Sequence, residues 1–260
     1  MKHTLPITLA MVILFILAQI IGLLVVERYA QQALPLGIQP PEFDEQTSFI
    51  PLFSIILVVT IITLILIHFR LGWLWKFWFF ISVFITLTVA LGAFIPEIFA
   101  VLLAVILTAA KIFHPSRFFH NLPELFIYAG LAAVFVPVLS VLSISVLLII
   151  LAVYDAIAVW KTKHMVSMAK FQASQKLFAG FYIPYKRKAA ILGGGDIGFP
   201  LLFSAVLLRH FGWPAAVLGI VLSAAALLLL LLLSKKNRFY PAMPFLAAGC
   251  FIALGIVSIF

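Results

Sequence analysis

The chain has 260 residues, of which 65% are hydrophobic and only 10% charged, with a formal net charge of +9. Soluble domains run at roughly 45–50% apolar and 25% charged, so a water-soluble globule, a disordered chain and a disulfide scaffold are excluded. The single cysteine, Cys250, has no partner for a bond within the chain. A helical span takes about 20 apolar residues, so nine spans use about 180 and leave about 80 for loops.

In chain order, the first apolar run is Leu5–Val26. It is longer than the apolar core of a signal peptide and no A-x-A site follows it, so it reads as a span rather than a leader. The second run is Phe49–Phe69, the third Leu74–Ile95, stopped by Pro96-Glu97, and the fourth Ile98–Phe113, closed by His114-Pro115. The stretch Leu122–Trp160 is too long for one crossing. Pro137 divides it into Leu122–Val136 and Leu139–Trp160. The seventh span is Ala189–Leu208, the eighth Pro214–Leu233, and the ninth begins near Pro241–Pro244 and runs to Phe260. No period-two alternation suggests a membrane barrel, and no internal repeat is visible.

The expected fold is therefore an all-α membrane protein, a bundle of nine transmembrane helices in the cell membrane. Helices one to six occupy 1–160, a basic loop occupies 161–188, and helices seven to nine occupy 189–260. With the N-terminus in the cytosol, only Arg28 and Arg209 of the 17 basic residues fall outside. That partition follows the positive-inside bias. The charge is then a topology signal, with lipid headgroups as its partner and nucleic acid not expected. The loop Lys161–Lys188 reads as a solvated positive loop, the alternative being that His164–Phe178 lies on the headgroups. Trp73, Trp75, Trp160, Tyr182 and Tyr185 read as interface anchors.

Two of the eight acids, Asp155 and Asp196, sit inside apolar spans. Asp155 precedes Lys161 by six residues and Asp196 follows Lys188 by eight. At helical rise these are depths of roughly 9 and 12 Å on consecutive antiparallel spans. An ionisable residue in a span costs about 2.5–3.5 kcal/mol on insertion scales, and marks function or a partner. Two carboxylates at matched depth share one proton, the arrangement of an aspartyl dyad that activates water. The plain alternative is a capping acid, most pertinent at Asp196, where Gly193-Gly194-Gly195 looks like a helix break.

Tyr154-Asp155 in span six, Gly193-Gly194-Gly195-Asp196 in span seven and Pro241-Ala242-Met243-Pro244 opening span nine resemble the presenilin and signal peptide peptidase family. Members of that family are intramembrane aspartyl proteases with YD, GxGD and PAL motifs on these same spans. Met243 replaces the family's Leu, a volume-conserving change. The short chain is similar to the compact archaeal branch, and the charge partition matches the presenilin orientation. The resemblance implies that Asp155 and Asp196 are catalytic. It also implies that Tyr154, Gly193, Gly195, Pro241, Ala242 and Met243 bind substrate, a transmembrane peptide cleaved near the cytosolic side. Helix packing is the plain alternative for the glycines, and an ordinary helix start for the prolines.

The histidines are scattered and no H-E-x-x-H is present, so no metal site and no cofactor are expected. Two rival readings remain. A prepilin- or preflagellin-type GxGD peptidase would have fewer spans. A proton-coupled transporter would have an inverted repeat. The oligomeric state is left open.

Overall fold

The computed structural model describes residues 4–69, 71–114, 116–161, 178–185, 188–234 and 240–259. The basic stretches 162–177, 186–187 and 235–239, with most of the expected cytosolic charge and all but the last residue of the amphipathic His164–Phe178 segment, lie outside the described residues. Among those described there are nine α-helices. They are α1 Leu5–Tyr29, α2 Phe49–His68, α3 Gly72–Gly92, α4 Glu97–Phe113, α5 Arg117–Phe135, α6 Val141–Trp160, α7 Gly194–Phe211, α8 Trp213–Leu233 and α9 Met243–Val257.

Local chemistry sets the boundaries. Pro137 falls in a 3-10 turn, Val136–Val138, between α5 and α6, because proline cannot donate to a continuing helix. Ser140 then caps α6, its hydroxyl accepting from the Ser143 N–H at 3.0 Å. Ser116 caps α5 in the same way through Phe119. Gly212, at φ +81°, turns the chain between α7 and α8. By length and composition, six helices can each cross a membrane: α1, α2, α3, α5 extended to Val138, α6 and α8. The remaining three, α4, α7 and α9, are shorter or carry acids and bases near their ends.

One expectation fails locally. Span seven does not start at Ala189. Gly180–Tyr185 (β1) and Lys188–Gly193 (β2) form an antiparallel hairpin, with Gly180 opposite Gly193 and Tyr185 opposite Lys188. A run of five apolar or small residues fits a strand as well as a helix, and periodicity alone does not separate them. The triple glycine then decides, since glycine is the poorest ordinary helix former, and α7 starts only at Gly194. Trp75 is buried against Phe79. Trp73 and Trp160 are exposed.

Helices α6 to α9 pack on one another around α7, while α3, α4 and α5 form a second group. Helix α1 joins the two, touching α5, α7 and α8. Where Gly130 of α5 meets the Thr86 carbonyl of α3, there is no room for a side chain, the small-residue contact by which membrane helices approach closely. Helix α2 touches only α3 and α6 appreciably and exposes Ile50, Val58, Ile61 and Ile65. This is the pattern of a helix solvated by lipid.

Candidate active site

Asp155 lies on the buried stripe of α6 with Leu147, Leu148, Leu151 and Ala158, and is 5% exposed. Its Oδ2 accepts the Met243 backbone N–H at 3.1 Å, and the Ala242 N–H is a second donor. These belong to the first turn of α9, where helix N–H groups have no partner within the helix. Asp155 therefore caps a helix 88 residues away in sequence. The Pro241-Ala242-Met243 segment, all buried, meets the first aspartate through its backbone.

Asp196 stands in the first turn of α7, three residues after the N-cap Gly193. Its carboxylate turns back to accept the Gly193 N–H, which is half of a capping box. A Cβ on Gly193 would lie 3.2 Å from Oδ2, so the glycine makes room for this fold-back. Asp196 thus caps its helix, and it also senses the Asp155 charge. Helices α6, α7 and α9 pack mutually, and the two acids share their junction. Among the described residues no Lys or Arg forms an ion pair with either aspartate. No group of three His, Cys, Asp or Glu side chains that could hold a metal gathers among them.

The other expected residues divide. Tyr154 is half-buried and meets Phe53 of α2 edge-on, with centroids 6.2 Å apart. Gly195 is exposed, and a Cβ there would make only ordinary contact with Phe199. Gly194, which sequence reasoning passed over, is the tight position: a Cβ would sit 2.9 Å from the Tyr128 hydroxyl. Gln19 was also missed. It is fully buried in α1, and its amide donates to the Ile197 carbonyl at 2.9 Å, one residue past Asp196. A lone Gln in an apolar run was the available signal.

The hairpin brings a third set of residues to the site. The outer edge of β1 is taken up by α5. Glu124 accepts the Gly180 N–H at 2.9 Å, His120 Nε2 bonds the Gly180 carbonyl at 2.9 Å, and Asn121 both donates to and accepts from Tyr182. Gly180 itself, at φ +137°, adopts a backbone that only glycine holds without strain. Lys111 of α4 pairs with Glu124 at 2.6 Å, the two side chains being 1% and 0% exposed. It also donates to the His120 carbonyl and stands over the Phe79 ring. Lys111 counts among the expected cytosolic charges; within the bundle it is buried and paired with Glu124 rather than free in a loop.

A family model described as signal-peptide peptidase, presenilin aspartyl protease matches residues 12–196 of the chain, ending on the second aspartate. Two solved structures are similar to it, each described as a presenilin family intramembrane aspartate protease. The one in space group C222 has a TM-score of 0.70 at 23% identity, covering 97% of this chain and 98% of that one. The one in P2 has a TM-score of 0.72 at 23% identity, covering 98% of each. At that identity the likeness is one of fold. No curated protein matches the chain.

Proposed function

The chain belongs to the signal-peptide peptidase and presenilin family of aspartyl proteases, and from that premise we propose that Asp155 and Asp196 are its catalytic pair. The protein is an intramembrane aspartic protease, a multi-pass membrane protein whose substrates are transmembrane segments. The observation that carries the assignment is the junction of α6, α7 and α9, where two carboxylates within electrostatic reach of each other each take backbone donors, with no paired cation among the described residues.

The chemistry needs one proton on the pair. The ionised carboxylate takes a proton from water as the water oxygen attacks the scissile carbonyl. The protonated carboxyl gives its proton to the carbonyl oxygen, forming a gem-diol. Collapse of the gem-diol returns a proton to the leaving nitrogen. Neither a covalent intermediate nor a metal enters, and the proton belongs to the pair rather than to either residue. Gly193 and the motif Gly193-x-Gly195-Asp196 make this a GxGD-type site, in which Gly193 admits the folded-back carboxylate.

A transmembrane helix hides its carbonyls, so a substrate must unwind to be cut. The outer edge of β1 is filled by α5 side chains, so β2 offers the other edge through Ala189 and Ile191, just ahead of Asp196. An extended substrate adding there would run past the dyad. Tyr154, Gly195, Pro241, Ala242 and Met243 are the further candidates for substrate contact, and Met243 and Ala242 also hold Asp155.

The nine helices among the described residues are consistent with nine crossings and a cytosolic N-terminus. Loops expected on one side do meet: Arg209 bonds Glu45 and the Pro137 carbonyl, Trp213 donates to Glu27, and the Leu36 N–H donates to Glu97. Reporter fusions after Lys188 and Arg238 should read cytosol, and one within 28–48 should read outside; the reverse readout rejects this orientation.

The deciding experiment is cleavage of a single-span substrate by purified protein, with the products identified by mass spectrometry. Asp155→Asn and Asp196→Asn should each abolish it while the protein still inserts. Substantial cleavage by either variant would end the assignment.

A further inference from the structure

Lys111, Glu124 and Tyr128 have no part in the chemistry above, yet they form a continuous buried chain that ends beside Asp196. Glu124 is fully buried and its two oxygens serve three donors from three elements. Oε1 takes Lys111 of α4, and Oε2 takes the Gly180 N–H of β1 and the Tyr128 hydroxyl of α5. The hydroxyl bond fixes the Tyr128 ring. That ring lies over Gly194 and Gly198 of α7, where added Cβ atoms would fall 2.9 Å from its Oη and 3.5 Å from its Cδ1. Gly194 is held from the other side by its own N–H, which donates to the Ala179 carbonyl at 3.0 Å just before β1. Asp196 follows two residues later, within electrostatic reach of Tyr128.

We propose that Glu124 is a positioning residue for the reaction: its carboxylate pins strand β1 directly and the start of α7 through Tyr128, and so fixes where Asp196 presents its carboxyl. The inference rests on the reading of Asp196 as a catalytic residue. The reason for an acid here is geometric. An apolar pair could fill the space of a buried ion pair with no loss of stability. Only a carboxylate, or its amide isostere, supplies an acceptor aimed at both the strand amide and the tyrosine hydroxyl. Lys111 neutralises the charge that this acceptor brings into the bundle. Catalytic groups must be held to about 0.5 Å by their supporting contacts, and a misplacement of about 1 Å can cost on the order of a hundredfold in rate.

Two double variants separate positioning from packing. Lys111→Met with Glu124→Gln removes the ion pair but keeps an amide oxygen for Gly180 and Tyr128. Lys111→Met with Glu124→Leu removes the pair and the acceptor. Each is purified from membranes, and kcat and KM are measured per folded, monodisperse protein on one single-span substrate. The expected result is a kcat loss of less than about tenfold for the first and of about a hundredfold or more for the second, with KM changed less than about threefold in both. Equal kcat in the two double variants overturns the proposal. If the leucine variant fails to insert, Tyr128→Phe decides, since it deletes one hydroxyl and little volume. A fall of about fivefold or more in kcat supports the proposal, and wild-type kcat overturns it. Asp196→Asn is run alongside: an active Asp196→Asn enzyme brings down the dyad reading itself, whereas an inactive one with equal double variants brings down only the positioning role.

Discussion

Lys111 and Glu124 between α4 and α5, and Asp155 and Asp196 between α6 and α7, are both pairs of ionisable groups withdrawn from water, and they are arranged in opposite ways. The first pair is of opposite charge at 2.6 Å, with further donors on the carboxylate. The second is of like charge, held by backbone N–H groups at two helix starts and by no paired cation among the described residues. A complementary, saturated pair has no reason to exchange a proton. A like-charged pair cannot ionise twice at low cost, so a proton stays available for transfer. The comparison teaches that the bundle gives one carboxylate an opposite charge and a full set of donors, and leaves two others with backbone donors and each other, as the proposed dyad requires.

Removing the reactive pair should have the largest effect on function. Asp155→Asn or Asp196→Asn should lower cleavage by at least about 10³-fold, within the range of general acid–base catalysis. The double variant should be no worse than either single one, because the residues act as a unit. Thermal unfolding in detergent should show little loss of stability, since asparagine keeps an oxygen that can accept the N–H groups each aspartate caps.

Breaking the inert pair should give the reverse signature. Lys111→Met leaves Glu124 buried without its cation and should cost about 3–5 kcal/mol of stability, read as a lower unfolding temperature or loss from the membrane. The exposed pair Arg209–Glu45, 39% and 44% exposed at its side chains, calibrates this. Glu45→Gln should cost less than about 1 kcal/mol. A Lys111→Met variant as stable as Glu45→Gln would remove the contrast.

The pH profile sharpens the same distinction. Lowering the pH protonates both aspartates and removes the base, and raising it ionises both and removes the acid. Cleavage should therefore trace a bell whose two limbs belong to the pair. A profile with a single limb would assign proton transfer to one residue and dissolve the pair.

The smallest effects lie in the glycines between the two clusters. Gly194→Ala should cost about 1–3 kcal/mol through overpacking against Tyr128, and Tyr128→Phe should relieve part of that cost. Gly195→Ala, with only ordinary contact to Phe199, should be neutral or stabilising by up to about 1 kcal/mol, because alanine favours the helix. Equal penalties at the two positions would show that Tyr128 does not seat on Gly194.

Much of this was legible in the chain itself. Apolar runs of span length bounded by Pro, Gly and charge placed the helices, because a bilayer accepts only segments whose backbone is satisfied internally. Asp155 and Asp196 stood out because acids are rare at that depth, and Tyr154-Asp155, Gly193–Asp196 and Pro241–Pro244 gave the family resemblance. The hairpin was not legible. Gly180–Gly193 is short, largely apolar, bounded by glycine and interrupted by Lys186-Arg187-Lys188, so its composition suits a span start, a loop or a strand equally. Its form is fixed by Asn121, Glu124 and His120, which supply the missing edge partners from another helix.

The sequence by itself determined how many apolar segments the protein has, where they break, and which two acids must be accounted for. These are local properties, set by hydrophobic length, proline and the cost of charge. The tertiary structure alone decided that Met243 holds Asp155, that Lys111 belongs to Glu124, and that Gly194 rather than Gly195 is the close contact. Each depends on how helices distant in sequence are rotated and set in depth against one another, and no residue pattern within a single segment encodes that.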